Sequence, residues 1–298
     1  MNSPTVKLSL DHLEAREVPA TVTLVGSQLQ VTGDDAANAV VVVDDGHGDV
    51  TATITTGATV VSGGGKGVSK IVIRGNGGDD TLDYRLTATM LRAEDLDIDM
   101  GAGNDRVRMD LYRGISGVPL NLSVAGGAGN DSAEIRFGTI NNANVNVHAA
   151  LGAGADTFSL IMFSGLTGNS HMTVDAAGNG GADKVDMNLM GKIDAGATLD
   201  IHAANSADAN DRLVVRYKGE LDGKLNVTVD QAAVDYGVQG YFALDPASTG
   251  KVTATVNDGH LLHHSSVVVT DHTGGPKVSV LDRLGETLTE SVGMKATY

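Results

Sequence analysis

An all-β fold, a right-handed parallel β-solenoid (β-helix) with coils of about 25–28 residues, is what this sequence predicts. Three observations point to it. A short Gly/Asp motif recurs in one register. Apolar residues alternate with period two on either side of it. Charged residues at equivalent outward positions alternate in sign over the first three repeats.

The motif reads GNGGDD from Gly75, MGAGND from Met100, GGAGND from Gly126, LGAGAD from Leu151, GNGGAD from Gly178 and SADAND from Ser206. Its sixth position is always Asp: Asp80, Asp105, Asp131, Asp156, Asp183 and Asp211, at steps of 25, 26, 25, 27 and 28 residues. A weaker copy starts at Gly33 and has Asn38 in the Asp slot. A fixed period of this length is the signature of a stacked repeat architecture.

The flanks define the strands. After each Asp, one apolar column reads Leu82, Val107, Ala133, Phe158, Val185, Leu213, and the next reads Tyr84, Met109, Ile135, Leu160, Met187, Val215. Before each motif, one column reads Leu96, Leu120, Val145, Met172, Leu199, Leu225, and its neighbour Ile98, Leu122, Val147, Val174, Ile201, Val227. Period two means strands with one buried face. A short link carries one more apolar residue per repeat, Ile115, Ile140, Leu166, Ile193 or Leu221, before a second turn. Each coil then buries its columns against its neighbours about 4.8 Å away, and parallel crossovers favour the right hand. Outward, Asp83, Arg108 and Glu134 form one column and Arg85, Asp110 and Arg136 the next. In-register stacking sets opposite charges side by side.

Composition bounds the function. The net charge is −16, which argues against nucleic acid and anionic membranes as partners. Cys is absent, which excludes disulfides, thiolate chemistry and Cys-based zinc sites. Gly is 39 of 298 residues and Trp is absent, so the core is built from aliphatic side chains. No run is long and apolar enough for a transmembrane helix, and Met1 to Ala20 has no apolar stretch of signal-peptide type.

Stacked in register, Asp80 to Asp211 make a row of carboxylates on one edge. Two charges about 4.8 Å apart repel by roughly 0.9 kcal/mol in water and about 3.5 at an effective dielectric of 20. A hard divalent cation held by carboxylates and turn carbonyls would offset this, and an oxygen-only set points to Ca²⁺. The alternative is turn chemistry alone, a hydrogen-bonded Asp column without metal.

The motif resembles the GGxGxDxUx repeat of hemolysin-type (RTX) calcium-binding proteins, most fully at Gly126 to Asp131. The resemblance spans roughly residues 75–214 and implies Ca²⁺ bound by Asp80, Asp105, Asp131, Asp156, Asp183 and Asp211 with turn carbonyls, between turns of a parallel β-roll. It departs in period: RTX motifs follow one another closely along the chain, whereas here one motif occurs per coil. At the N-terminus, His12 to Ala20 (HLEAREVPA) is similar to the LExRxxPA-type segment of planctomycete surface and secreted proteins, which implies an extracellular or cell-surface location.

Other clusters carry readings of their own. His148, Asp175 and His202 share an outward column, with Asp99 expected beyond Ser123; this suits a metal or acid/base pair, or a surface hydrogen-bond ladder. Asp258, His260, His263, His264 and His272 lack the helical context of a zinc hydrolase. Tyr112, Ile161, Phe163 and Met190 are expected outward and near one another, as a contact for a partner or polysaccharide or as local packing.

Three segments follow: 1–20, an N-terminal targeting-type segment; 21–235, the solenoid with atypical first coils; and 236–298, a C-terminal β capping region. The function expected is that of a non-enzymatic, acidic, calcium-stabilised structural or adhesive protein, whose partners are calcium and polysaccharide or surface proteins. The alternative is a polysaccharide-acting β-helix lyase or hydrolase, which needs paired carboxylates and aromatic sugar platforms.

Overall fold

The computed structural model describes residues 19–205, 211–231, 238–245, 247–258, 266–270 and 278–282. Most of the N-terminal LExRxxPA-type segment, residues 206–210 of the last motif and His260, His263, His264 and His272 lie outside them. The described residues are all strand, turn and loop, stacked as parallel coils of a β-solenoid.

Two eleven-stranded sheets form the long walls and a four-stranded sheet the third side. The first sheet carries the strands that enter the motif, such as Glu94–Ala102, Leu120–Ala128, Asn144–Ala153 and His171–Gly180. The second carries those that leave it, such as Arg106–Leu111, Ser132–Phe137, Thr157–Met162 and Lys184–Met190. The third is built from the links Ile115–Ser116, Ile140–Asn141, Gly165–Thr167 and Lys192–Ile193. Between these successive coils the pairing is parallel.

The two columns after the motif and the link column stack as the alternation requires: Leu82 beside Val107, Ile135 beside Leu160, Ile115 beside Ile140. The core is a continuous file of buried Val, Leu, Ile and Met, widened by Tyr84, Phe137, Phe158, Tyr217 and Phe242. In the first sheet one coil is shifted from the expected register. Leu122, not Leu120, lies beside Leu96, and Val124 beside Ile98, so Glu94 faces Leu120. The slip is two residues. An even slip keeps every side chain on its own face, so alternation cannot detect it.

The first three motif residues extend the first sheet, and the chain turns only at the fourth and fifth. Close coil stacking explains the glycines there. A Cβ on Gly127 would lie 1.8 Å from the Gly101 carbonyl oxygen and one on Gly154 1.7 Å from that of Gly129, with φ at +114° and +143°.

The N-terminal end is closed by antiparallel strands. Thr21–Val25 folds back on Gln28–Thr32 through Gly26, so the apolar run Val22 to Val31 is a hairpin. Val50–Thr56 and Thr59–Gly65 extend the second sheet as a meander from Asn38–Asp44. Val22 and Leu24 press on Gly63 and Gly65, where a Cβ would sit 2.8 and 2.4 Å from their methyl carbons. This covers an edge that would otherwise offer free backbone groups. Beyond residue 236 the stack does not stop: Val238–Leu244, Lys251–Asp258, Ser266–Thr270 and Val278–Asp282 continue it in parallel.

Candidate functional site: the Asp ladder at the turn edge

The six motif Asp residues form one column, but their side chains point inward and only 1–3% of each residue is exposed. The backbone N–H of each of the first five donates to the carboxylate Oδ1 of the Asp one coil later: Asp80 to Asp105 at 2.7 Å, Asp105 to Asp131 at 2.8 Å, Asp131 to Asp156 at 2.7 Å, Asp156 to Asp183 at 2.9 Å and Asp183 to Asp211 at 2.9 Å. Asn38, in the Asp slot of the first copy, joins the same chain by donating its N–H to Asp80 Oδ1 at 2.7 Å.

A second ladder runs beside it on the exposed side, in the opposite sense. Asn104 N–H donates back to Asp79 Oδ1 at 2.7 Å, Asn130 N–H to Asn104 Oδ1 at 2.9 Å and Ala155 N–H to Asn130 Oδ1 at 2.7 Å. The motif's fifth and sixth residues thus hydrogen-bond to both neighbouring coils at the edge where the sheets part. Parallel sheet hydrogen bonds cannot continue through such a turn, so side chains replace them.

Burial dominates the electrostatics of the inner ladder. It pushes the carboxyls of Asp80, Asp131 and Asp156 above the usual range, and that of Asp105 up to about 6. The accepted N–H bonds act the other way, and repulsion between neighbouring Asp residues is a smaller contribution. The second oxygens of Asp80, Asp105, Asp131 and Asp156 are buried and accept no hydrogen bond. Two of them lie against glycine: a Cβ on Gly75 would be 2.3 Å from Asp80 Oδ2, and one on Gly126 2.5 Å from Asp131 Oδ2.

Ca²⁺ takes six to eight oxygen ligands. At Asp80, Asp105, Asp131 and Asp156 one carboxylate oxygen accepts no hydrogen bond, and at Asp80 and Asp131 it faces a glycine methylene. Among the described residues, no three Asp, Glu or His side chains converge as a metal group. Carboxylates alone do not make up a calcium shell, so turn carbonyls would have to supply the remaining ligands.

The histidine column is present with one change. Ser123, His148, Asp175 and His202 stack in order, but Asp97, not Asp99, lies beyond Ser123, by the same two-residue slip. His202 bridges coils, with Nδ1 3.5 Å from Asp175 and Nε2 2.6 Å from Asp230. Tyr112 and Phe163 are exposed and meet edge to face, ring centres 5.5 Å apart. Ile161 and Met190 are half-buried.

One cluster escaped sequence reasoning. Tyr84, fully buried, donates its hydroxyl to Asp44 and lies 3.4 Å from Glu94. Burial and then Asp44 raise the Glu94 carboxyl to about 10. The available signal was parity: Asp44 follows Val40 and Val42, and Glu94 precedes Leu96 and Ile98, each at inward positions.

No protein-family model, curated protein or solved structure matches this chain.

Proposed function

We propose that this chain is a non-enzymatic structural or adhesive solenoid that works at the cell surface or outside the cell. One observation carries the reading: the repeated carboxylates, the residues with most chemical potential, are each spent on holding the backbone of the preceding coil. The stack itself is then what the repeat maintains. The LExRxxPA-type segment and the Cys-free acidic composition support the location.

Calcium stabilisation of the same edge is a second reading. The buried second oxygens of Asp80, Asp105, Asp131 and Asp156, which accept no hydrogen bond, favour it. Thermal melts followed by circular dichroism, in EGTA and in millimolar Ca²⁺, separate the two. A metal-free ladder gives superimposable melts. A Ca²⁺-specific rise that is lost in Asp105→Ala plus Asp131→Ala establishes the cation instead. Incubation with acidic polysaccharides tests the non-enzymatic reading, and unsaturated or shortened products would overturn it.

A further inference from the structure

The two long faces differ in charge. From Lys70–Arg74 to Thr198–Asn205, the outer face of the first sheet presents Asp95, Asp97, Asp99, Asp175 and Asp200 against two cations, Lys70 and Arg74. From Thr81–Leu86 to Arg212–Gly219, the outer face of the second sheet presents eight Lys or Arg side chains against four carboxylates. This excess of cations stands in a chain of net charge −16.

Three of those carboxylates are engaged within the face: Asp83 by Arg85, Glu134 by Arg136 and Asp186 by Arg216. Arg106 and Lys218 on the face, and Arg113 at the adjoining corner, are exposed and make no ion pair among the described residues. Arg106 and Arg113 flank the Arg106–Leu111 strand at its two ends, and Lys218 lies four coils further along the axis, at the Arg113 end. A polyanion lying along the axis on the Arg113 side would meet Arg113 and Lys218 in turn, and Arg106 widens the cationic surface across the face.

Aromatic residues mark the same side. Of the Phe and Tyr residues whose burial is described, five are buried in the core. The other three are Tyr112, Phe163 and Tyr241, all exposed. Tyr112 and Phe163 sit at the corner where the second sheet ends, two coils apart. The intervening coil has Gly138 there, and a Cβ on it would lie 2.0 Å from the Tyr112 carbonyl oxygen. Tyr241 lies on the face itself under Arg216, 5.7 Å from ring centre to guanidinium carbon. Exposed rings beside Arg and Lys suit a ligand with both apolar C–H faces and negative charge.

We propose that the outer face of the second sheet, with its Tyr112–Phe163 corner, binds an anionic polysaccharide laid along the solenoid axis. The cations meet its acid groups and the rings its pyranose faces. The proposal takes its ligand class from the surface-scaffold reading but does not depend on the chain being inactive toward that ligand.

The test is calorimetric titration of the full chain with polygalacturonate, at low and at high salt, with neutral dextran and single-stranded DNA as comparison ligands. Binding to polygalacturonate is expected, weakened by salt and absent for dextran. The exposed triple variant Arg106→Gln, Arg113→Gln, Lys218→Gln is expected to weaken it by about tenfold or more, and Tyr112→Ala to weaken it further. Lys224→Gln, on the first sheet, should leave it unchanged. Unchanged circular dichroism melts show that each variant is folded. No binding at low salt, or binding indifferent to the triple variant, overturns the proposal. Equal or tighter binding to DNA overturns the choice of polysaccharide. Concentration-dependent self-association in sedimentation, lost in the triple variant, would instead make this face an interface with the acidic face of a second copy. Released sugar products would overturn the non-enzymatic reading and leave the binding face standing.

Discussion

Asp105→Asn isolates what the buried charge contributes to the ladder. The Asp105 Oδ1 accepts the Asp80 N–H at 2.7 Å, and Asn keeps that acceptor while removing the charge. The chain already accommodates Asn at this motif position, where its Oδ1 accepts from the Thr56 hydroxyl. Asn38 occupies the same motif position, with its amide nitrogen donating to the Ala36 carbonyl at 2.6 Å and the Asp34 carbonyl at 3.3 Å. Burial raises the Asp105 carboxyl from 3.8 to about 6. At about 1.4 kcal/mol per pKa unit, ionising it in the folded state costs about 3 kcal/mol. The carboxyl lies near the edge of the stack, and solvent screening reduces this to about 1–2 kcal/mol. The sign follows from linkage. A group whose folded pKa is raised favours the fold below its unfolded pKa, and that contribution is lost as pH rises through the folded pKa. Asp105→Asn should therefore be more stable than the parent by about 1–2 kcal/mol at pH 7.5, and the difference should close by pH 4. Urea titration followed by circular dichroism at both pH values reads it. A variant less stable than the parent at pH 7.5, or a difference that does not change with pH, would refute the reasoning.

Further expectations follow from the same geometry. Asp131→Ala removes the acceptor of the Asp105 N–H and leaves a buried donor unpaired; at pH 4, where charge relief is absent, it should lose about 1–3 kcal/mol in a urea titration. Gly127→Ala puts a Cβ 1.8 Å from the Gly101 carbonyl at φ +114°, and should cost about 1–3 kcal/mol in the same assay or prevent folding. Glu94→Gln relieves a carboxyl raised to about 10 beside Asp44, so it should raise the melting temperature at pH 8 relative to the parent and much less at pH 4. Leu160→Ala, fully buried between Ile135 and Met187, should lose about 2–5 kcal/mol of unfolding free energy.

Period-two alternation and a 25–28-residue repeat were enough to establish the coil, its buried columns and its parallel stacking, because parity and period are properties of the chain itself. The row of Asp80 to Asp211 was legible for the same reason. What each carboxylate does was not. Alternation gives no direction for a side chain inside a turn, and only the packed coils showed that Oδ1 meets the next N–H along the stack. The two-residue slip at Leu96 was hidden because even shifts preserve parity, and with it the pairing of Asp97 with Ser123. The Tyr84–Asp44–Glu94 cluster was hidden because its members lie on three strands that only the tertiary fold brings together. The opposed charge of the two long faces likewise needed every outward position of six coils to be assigned to a wall. Local pattern determines which way a residue faces; which residue it meets is decided by register and closure of the coil.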